Sequence, residues 1–380
     1  MTRKAVLMVL AVVLAAGLGA QTVEPAKPVP LAVKTGPYNA ITDVPGILVG
    51  NYESNFTGTT VIFAPNGAVG GGDVRGSAPG SRETDLLRPT NMVDKVDAVV
   101  LTGGSAYGLA AAQGVMIWLE EKKLGWPVGG GNVVPIVPAA VLFDPGRFGR
   151  AFNYRPDAAF GWMAIDSAKG GPVAMGNVGA GAGAVAGGLK GGLGTASVDL
   201  GDGVFVGAIV AVNAGGSTVN RATGELYASY LEVNGEFGGL KRPFASAADA
   251  LAAGYSVASI LDEMEAVKNT TIACIATNVK LTKAQAQKVA EMAHDGMARA
   301  IQPSHTMFDG DTIFVLGTGL LDLDTLKQQA AWGNVSANVN KLGSAAADAL
   351  ARAIVHAMLN AQTVGTTASY RDKYPTAFGK

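Results

Sequence analysis

Apolar runs of strand length occupy residues 46–50, 59–64 and 97–102, and the last passes through Gly103-Gly104 into a helical pattern over 105–121. That is a strand, a tight turn and a helix. Residues 204–212 have strand composition, and 246–267 carry an Ala-rich helical pattern broken near Gly254. Asn269-Thr270 then opens abruptly into the apolar segment 271–277. The clearest helix follows. Thr282 stands at its N-cap with Gln285 three positions on, Val289, Met292, Ala293, Met297 and Ala300 share one face, and Pro303 closes it. His294 falls on the polar side of this helix and reads as a solvated residue. A strand over 312–316 and an Ala-rich helix over 344–360 complete the chain. The alternation predicts a layered α/β fold with helices packed on mixed sheets, without the regular connections of a doubly wound parallel sheet. No fixed-period repeat is present.

Residues 1–20 run from Arg3 and Lys4 through the apolar stretch 5–18 to the small residues Gly19 and Ala20. This is the pattern of a secretory signal peptide. As a stable membrane anchor the stretch falls short of the ~20 residues a span needs, and no second such run follows. Residues 21–36, with Pro25, Pro28 and Pro30, read as an extended linker, so the expected location is secreted or, in a bacterium, periplasmic. The single cysteine, Cys274, leaves no internal disulfide, and packing alone must hold the exported domain together.

Composition narrows the classes further. Of 380 residues 52 are glycine, double the usual ~7%, which excludes an ordinary helical bundle. With 48% hydrophobic and 16% charged residues the chain can bury a core, and disorder is excluded. A net charge of −1 supplies no field to attract nucleic acid. Between Gly170 and Gly216 there are 16 glycines, too many for long helices.

Four chemistries compete for the polar residues. His294, His305 and His356 lack metal-site spacing and one cysteine builds no thiolate site, so no metal is expected. Gly103-Gly104-Ser105-Ala106-Tyr107 approaches a nucleophile elbow, with His356 late in the chain, but Tyr107 stands where the last glycine is required. Ser105 reads better as a helix cap. Gly181, Gly183 and Ala186 match a relaxed dinucleotide loop, a match that so glycine-dense a stretch gives by chance, and no cofactor is expected. The Asn269-Thr270 bond is the fourth. A threonine hydroxyl becomes a useful nucleophile beside its own α-amine, whose pKa near 8 suits proton transfer, but that needs a terminal threonine and hence cleavage of the preceding bond. On composition alone, Thr270 is simply the polar start of a strand.

Taken together, the blocks 82–87 (RETDLL), 101–109 (LTGGSAYGL), 176–181 (GNVGAG), 190–197 (KGGLGTAS) and 269–272 (NTTI) resemble the self-processing aminopeptidases of peptidase family S58. These include the L-aminopeptidase D-amidase/D-esterase and the β-peptidyl aminopeptidases. The likeness runs in order over about residues 36–320. It implies an αββα fold of the N-terminal-nucleophile kind and a cut between Asn269 and Thr270, giving an α chain 37–269 and a β chain 270–380 that assemble as a homo-oligomer. Thr270 would be the nucleophile, in a place where the family often has serine, with Thr271 a lesser alternative. Asn213 looks like the oxyanion donor, though it also reads as a turn residue ahead of Gly215-Gly216. Asp311 would orient the Thr270 amine. Asp309 departs from the serine of the family.

The resemblance implies a small peptide or amino-acid amide as substrate. Its free amine calls for an anion at the pocket mouth, from Asp144 or Glu83, and Tyr107 is a candidate pocket wall. Two other functions fit parts of the pattern: acyl transfer of the ornithine acetyltransferase type, and a noncatalytic secreted binding protein. The glycine-rich stretch reads as packing around the active centre.

Overall fold

The computed structural model describes residues 33–258, 269–328 and 333–379. The expected signal peptide, most of the linker and the latter part of the helical pattern at 246–267 lie outside the described residues, which show a helix only at Ala247–Ala252.

Nine strands form one mixed sheet. In chain order they are β1 (Leu48–Ser54), β2 (Thr57–Val74), β3 (Ser81–Arg82), β4 (Lys95–Thr102), β5 (Ala139–Val141), β6 (Leu193–Asp199), β7 (Phe205–Ala211), β8 (Ile272–Val279) and β9 (Thr312–Leu321). Their order across the sheet is β6-β7-β8-β9-β2-β4-β5-β3, with β1 paired to β2. β8 and β9 are parallel, and their neighbours β7 and β2 run antiparallel to them.

The long β2 joins two halves of the sheet. Its first part pairs with β1 and β4 and its last part with β9, and between Phe63 and Ala68 the register with β4 shifts. Pro65, which has no N–H to give the ladder, and Gly67, at φ 66°, lie in this irregular stretch.

Because strand side chains alternate, each half buries both faces. Ala208, Val210, Ala273, Ile275, Ile313 and Val315 face helices α3 (Lys283–Ala300) and α4 (Asn334–Asn360). The alternate residues Ile209, Ile272, Cys274 and Phe314 meet Ile62, Val99 and Leu101 of the other half. On the far side, Val61, Phe63, Ala98 and Val100 pack on α1 (Ala111–Glu121) and α2 (Ala158–Asp166). Helix, sheet, sheet and helix thus form four layers with three apolar interfaces.

Several expectations change at this level. The capping box of Thr282 and Gln285 is present at the start of α3. Ser105 caps nothing: it begins a 3-10 turn over Ser105–Ala110 whose N-cap is Gly104 at φ 89°, and α1 starts only at Ala111. His294 is not solvated but 1% exposed, because the side of α3 away from its apolar stripe is covered by Asp73 of β2. Helix α4 begins ten residues before the expected start at 344. Among the described residues it is the one helix long and apolar enough to cross a membrane, and 89% of its apolar window is buried inside the protein, as befits a core helix.

Candidate active site

The sheet order gathers the predicted catalytic residues at one end of four adjacent strands. Ile272 of β8 lies opposite Thr312 of β9, Ala211 of β7 opposite Ile272, and Val74 of β2 opposite Thr312. The segments just outside these four strand ends therefore converge. They carry Asn213 after β7, Thr270 and Thr271 before β8, Asp309 and Asp311 before β9, and residues 75–78 after β2. Backbone hydrogen bonds from Arg75 to the Asp311 carbonyl, 3.0 Å, and from Ala78 to the Asp309 carbonyl, 2.9 Å, fix the loop that bears the two acids.

Thr270 sits at the centre, 5% exposed. Its backbone N–H donates to the Asn213 carbonyl at 2.7 Å, and its hydroxyl accepts from the Gly310 N–H at 3.1 Å. The hydroxyl itself donates to the carbonyl of Asn269. Next to it, the Thr271 N–H donates to Asp311 Oδ1 at 2.7 Å. Asp311 Oδ2 accepts from both the backbone N–H of His305, 3.0 Å, and its ring Nδ1, 2.8 Å. Asp309 is buried, accepting from the N–H groups of Gly215 and Thr306 at 3.2 Å each and from the Thr306 hydroxyl. Burial raises its pKa above the ordinary carboxylate value, and the neighbouring Asp311 raises it further.

Asn213 is fully buried with its side-chain carbonyl taken up: Oδ1 accepts from the Val185 N–H at 3.0 Å and from Arg147. That fixes the amide orientation and presents Nδ2 as a donor, which contacts the Phe143 carbonyl at 3.4 Å. An amide held in this way is suited to stabilising a developing oxyanion.

Beside Thr270 a cleft of about 120 Å³ is lined by Gly80, Ser105, Val141, Phe143 and Phe308 among others. Tyr107 and Asp144 do not line it. Tyr107 is 59% exposed and stacks on the Arg155 guanidinium 3.7 Å from its ring centre. Asp144 is fully buried, where its Oδ1 accepts from the Gly104 N–H at 2.8 Å and pairs with Arg150 at 2.9 Å. It is a structural anion and not one placed at the mouth. Its other oxygen lies against Gly103 and Gly183, where any Cβ would overlap it. Glu83 is absent from the cleft wall as well.

The structure adds residues that the sequence did not single out. Arg147 donates to the Gly183 carbonyl at 3.0 Å besides Asn213, and burial lowers its pKa to about 10. Lys190 is fully buried, its ammonium donating to the carbonyls of Gly181 and Gly191 at 3.0 and 2.7 Å. Burial, reinforced by Arg147 and opposed by Asp144, lowers its pKa to about 7. The glycine-rich stretch divides in two. Gly183 and Gly191 give close packing beside Asp144 and the Val212 carbonyl, next to Asn213, whereas Gly192 and Gly194 make room for α4. Among the described residues no group of three or more His, Cys, Asp or Glu side chains is arranged to hold a metal ion.

Comparison with known proteins identifies the family and the fold. Residues 39–371 match the sequence model of peptidase family S58. An uncharacterized aminopeptidase of Mycobacterium bovis is 48% identical over 352 residues, 90% of this chain and 99% of the relative. A 6-aminohexanoate-oligomer endohydrolase of a Kocuria species is 33% identical, covering 83% of this chain and 84% of the relative. In three dimensions the chain resembles the L-aminopeptidase D-Ala-esterase/amidase of Ochrobactrum anthropi, described as a variant of the Ntn hydrolase fold. The TM-score is 0.66 at 21% identity, covering 92% of this chain and 98% of the other. A β-aminopeptidase of a Burkholderia species gives a TM-score of 0.64 at 23% identity over 93% and 96% of the two chains. The layered architecture is thus that of the Ntn hydrolases, and this chain, a hydrolase of the aminopeptidase kind, belongs to peptidase family S58.

Proposed function

We propose that the protein is an exported, self-processing aminopeptidase or amidase whose nucleophile is the hydroxyl of Thr270. The observation that carries this reading is the contact of that hydroxyl with the carbonyl of its own preceding peptide, with the Gly310 N–H on its oxygen and two carboxylates in the adjoining loop. In the first reaction Oγ1 bonds to the Asn269 carbonyl carbon and the C–N bond to Thr270 breaks. The proton lost by the hydroxyl ends on the nitrogen, which becomes a free α-amine. Water then hydrolyses the ester, leaving an Asn269 carboxylate and restoring the hydroxyl.

In the second reaction the new amine takes the hydroxyl proton while Oγ1 attacks a substrate carbonyl, and returns a proton to the leaving amine; water releases the acyl group. The Asn213 amide donates to the developing oxyanion, and Asp309 and Asp311 favour the protonated form of the amine. Denaturing electrophoresis with N-terminal sequencing tests this. Two fragments are expected, the smaller beginning Thr-Thr-Ile. A single intact chain that hydrolyses amides would sink the reading.

A second reading of the substrate is favoured by the cleft wall, whose described residues carry no acidic side chain to meet a substrate ammonium. It is hydrolysis of amide bonds within oligoamides, the type of activity for which the Kocuria relative is named. Comparing an aminoacyl p-nitroanilide with its N-acetylated form separates the two, because an aminopeptidase loses the acetylated substrate and an endo-acting amidase keeps it.

A further inference from the structure

The site contains a group that the reactions above do not use. His305 lies in the loop before the two acids, with its backbone at φ 59°, in the left-handed region that few side-chain-bearing residues occupy. In this conformation two donors of one residue, N and Nδ1, reach the same oxygen, Asp311 Oδ2, at 3.0 and 2.8 Å. A carboxylate only accepts, so the ring proton resides on Nδ1. Nε2 is buried without a hydrogen-bond partner among the described residues, and the ring packs edge-on against His294 of α3 with centroids 4.7 Å apart.

We propose that His305 is a positioning residue of the active site: its paired donors lock the Asp311 carboxylate so that the opposite oxygen, Oδ1, holds the Thr271 N–H and thereby sets where Thr270 presents its hydroxyl and nitrogen. The proposal rests on Thr270 being the nucleophile. His305 lies outside the cleft wall and touches the reaction only through Asp311.

The charged and titratable neighbours are few. Within the loop they are Asp309 and Asp311; from α3 comes His294; from β2 and just beyond it come Asp73 and Arg75, themselves paired at 2.7 Å. His294 is kept neutral by burial and by the proximity of His305, at about 3, so it does not titrate in the working range.

Two variants of the full chain isolate the imidazole. His305→Gly accepts φ 59° without strain and keeps the backbone donor but loses the ring. His305→Asn tolerates the same backbone and returns a side-chain N–H. Self-cleavage and turnover of an aminoacyl p-nitroanilide are followed from pH 4 to 9. In His305→Gly both rates are expected to fall about 10- to 100-fold, the size of one hydrogen bond to a charged group. KM should stay within about twofold, since only an acid beside the nucleophile has been loosened. His305→Asn should recover most of the rate, and in an Asp311→Asn background loss of the ring should matter about threefold or less.

A merely structural residue would lower the melting temperature and leave the kcat of the folded enzyme in place; that result overturns the proposal. If the glycine variant does not fold, an asparagine variant as slow as Asp311→Asn overturns it equally, and one near wild type supports it. A wild-type chain that neither cuts itself nor hydrolyses amides overturns the Thr270 reading and this one with it, whereas an active wild type matched by both variants overturns this one alone.

Discussion

At Thr270 one hydroxyl group separates two outcomes. Thr270→Ser keeps the hydroxyl and should still cut and hydrolyse, while Thr270→Ala should remain a single inactive chain; gels and a p-nitroanilide assay read both. At Asn213 the expected loss is larger than that of an ordinary hydrogen bond. Asn213→Ala should lower kcat about 100- to 1,000-fold, the cost of removing one oxyanion donor, with KM little changed. Likeness to a family, not spacing or composition, points to Thr270, Asn213, Asp309 and Asp311, and the strand order explains physically why the segments that carry them meet. Arg147, Arg150 and Lys190 were not legible, because a charged residue read in sequence is assumed to face water. The burial of Arg150 and Lys190 and the partial burial of Arg147 become visible only when the carbonyls of Gly181, Gly183 and Gly191 and the carboxylate of Asp144 are seen to surround them. His305 was hidden for a related reason: nothing in a sequence announces a positive φ on a histidine.

Helices α3 and α4 cross where Gly296 leaves space, since a Cβ there would overlap the Ala347 carbonyl oxygen. Gly296→Ala should therefore cost about 1–3 kcal/mol in urea unfolding despite alanine's better helix propensity, because the crossing has to widen. Removing the α3 cap with Thr282→Ala should cost about 1 kcal/mol by the same measurement and leave activity intact. The cap was readable because its signal is local, a threonine and a glutamine three apart. The assignment of His294 to a wet face failed because the apolar stripe of α3 identifies one partner, and the helix has two: α4 lies across it, and β2 brings Asp73 over the face that the stripe leaves polar. Six of the nine strands are legible from apolar runs; β3, β5 and β6 are not, since two are too short to show a pattern and β6 lies in the glycine-rich stretch, and the six residues 59–64 that mark β2 extend through 18, because its glycine-rich second part has no strand signature until β9 pairs with it.

Over the whole molecule, acid is expected to unfold the protein through two buried clusters. Burial opposes the charge on Glu236, but hydrogen bonds from His356 and Arg352 outweigh it and hold the group at about 2, against an ordinary 4.5. A folded value below the unfolded one contributes stability above the unfolded pKa, and that contribution is lost as pH falls from about 4.5 toward 2. His294, neutral in the fold down to about 3, adds a loss that begins near its ordinary 6.5. Denaturation midpoints should thus decline below about pH 6.5 with a slope of up to ~1.4 kcal/mol per pH unit for each group titrating, and His294→Gln should flatten the upper part of that decline. The position of the two parallel strands in the sheet carries a different consequence. β8 and β9, both encoded after residue 269, lie between β7 and β2, both encoded before it. Scission at Asn269, if it occurs as proposed, would leave the shorter piece clasped along two hydrogen-bonded seams, like a keystone between abutments. Maturation of this kind would be one-way: the halves should travel together through native chromatography, and once parted in denaturant neither would contain the neighbours needed to rebuild the central sheet alone.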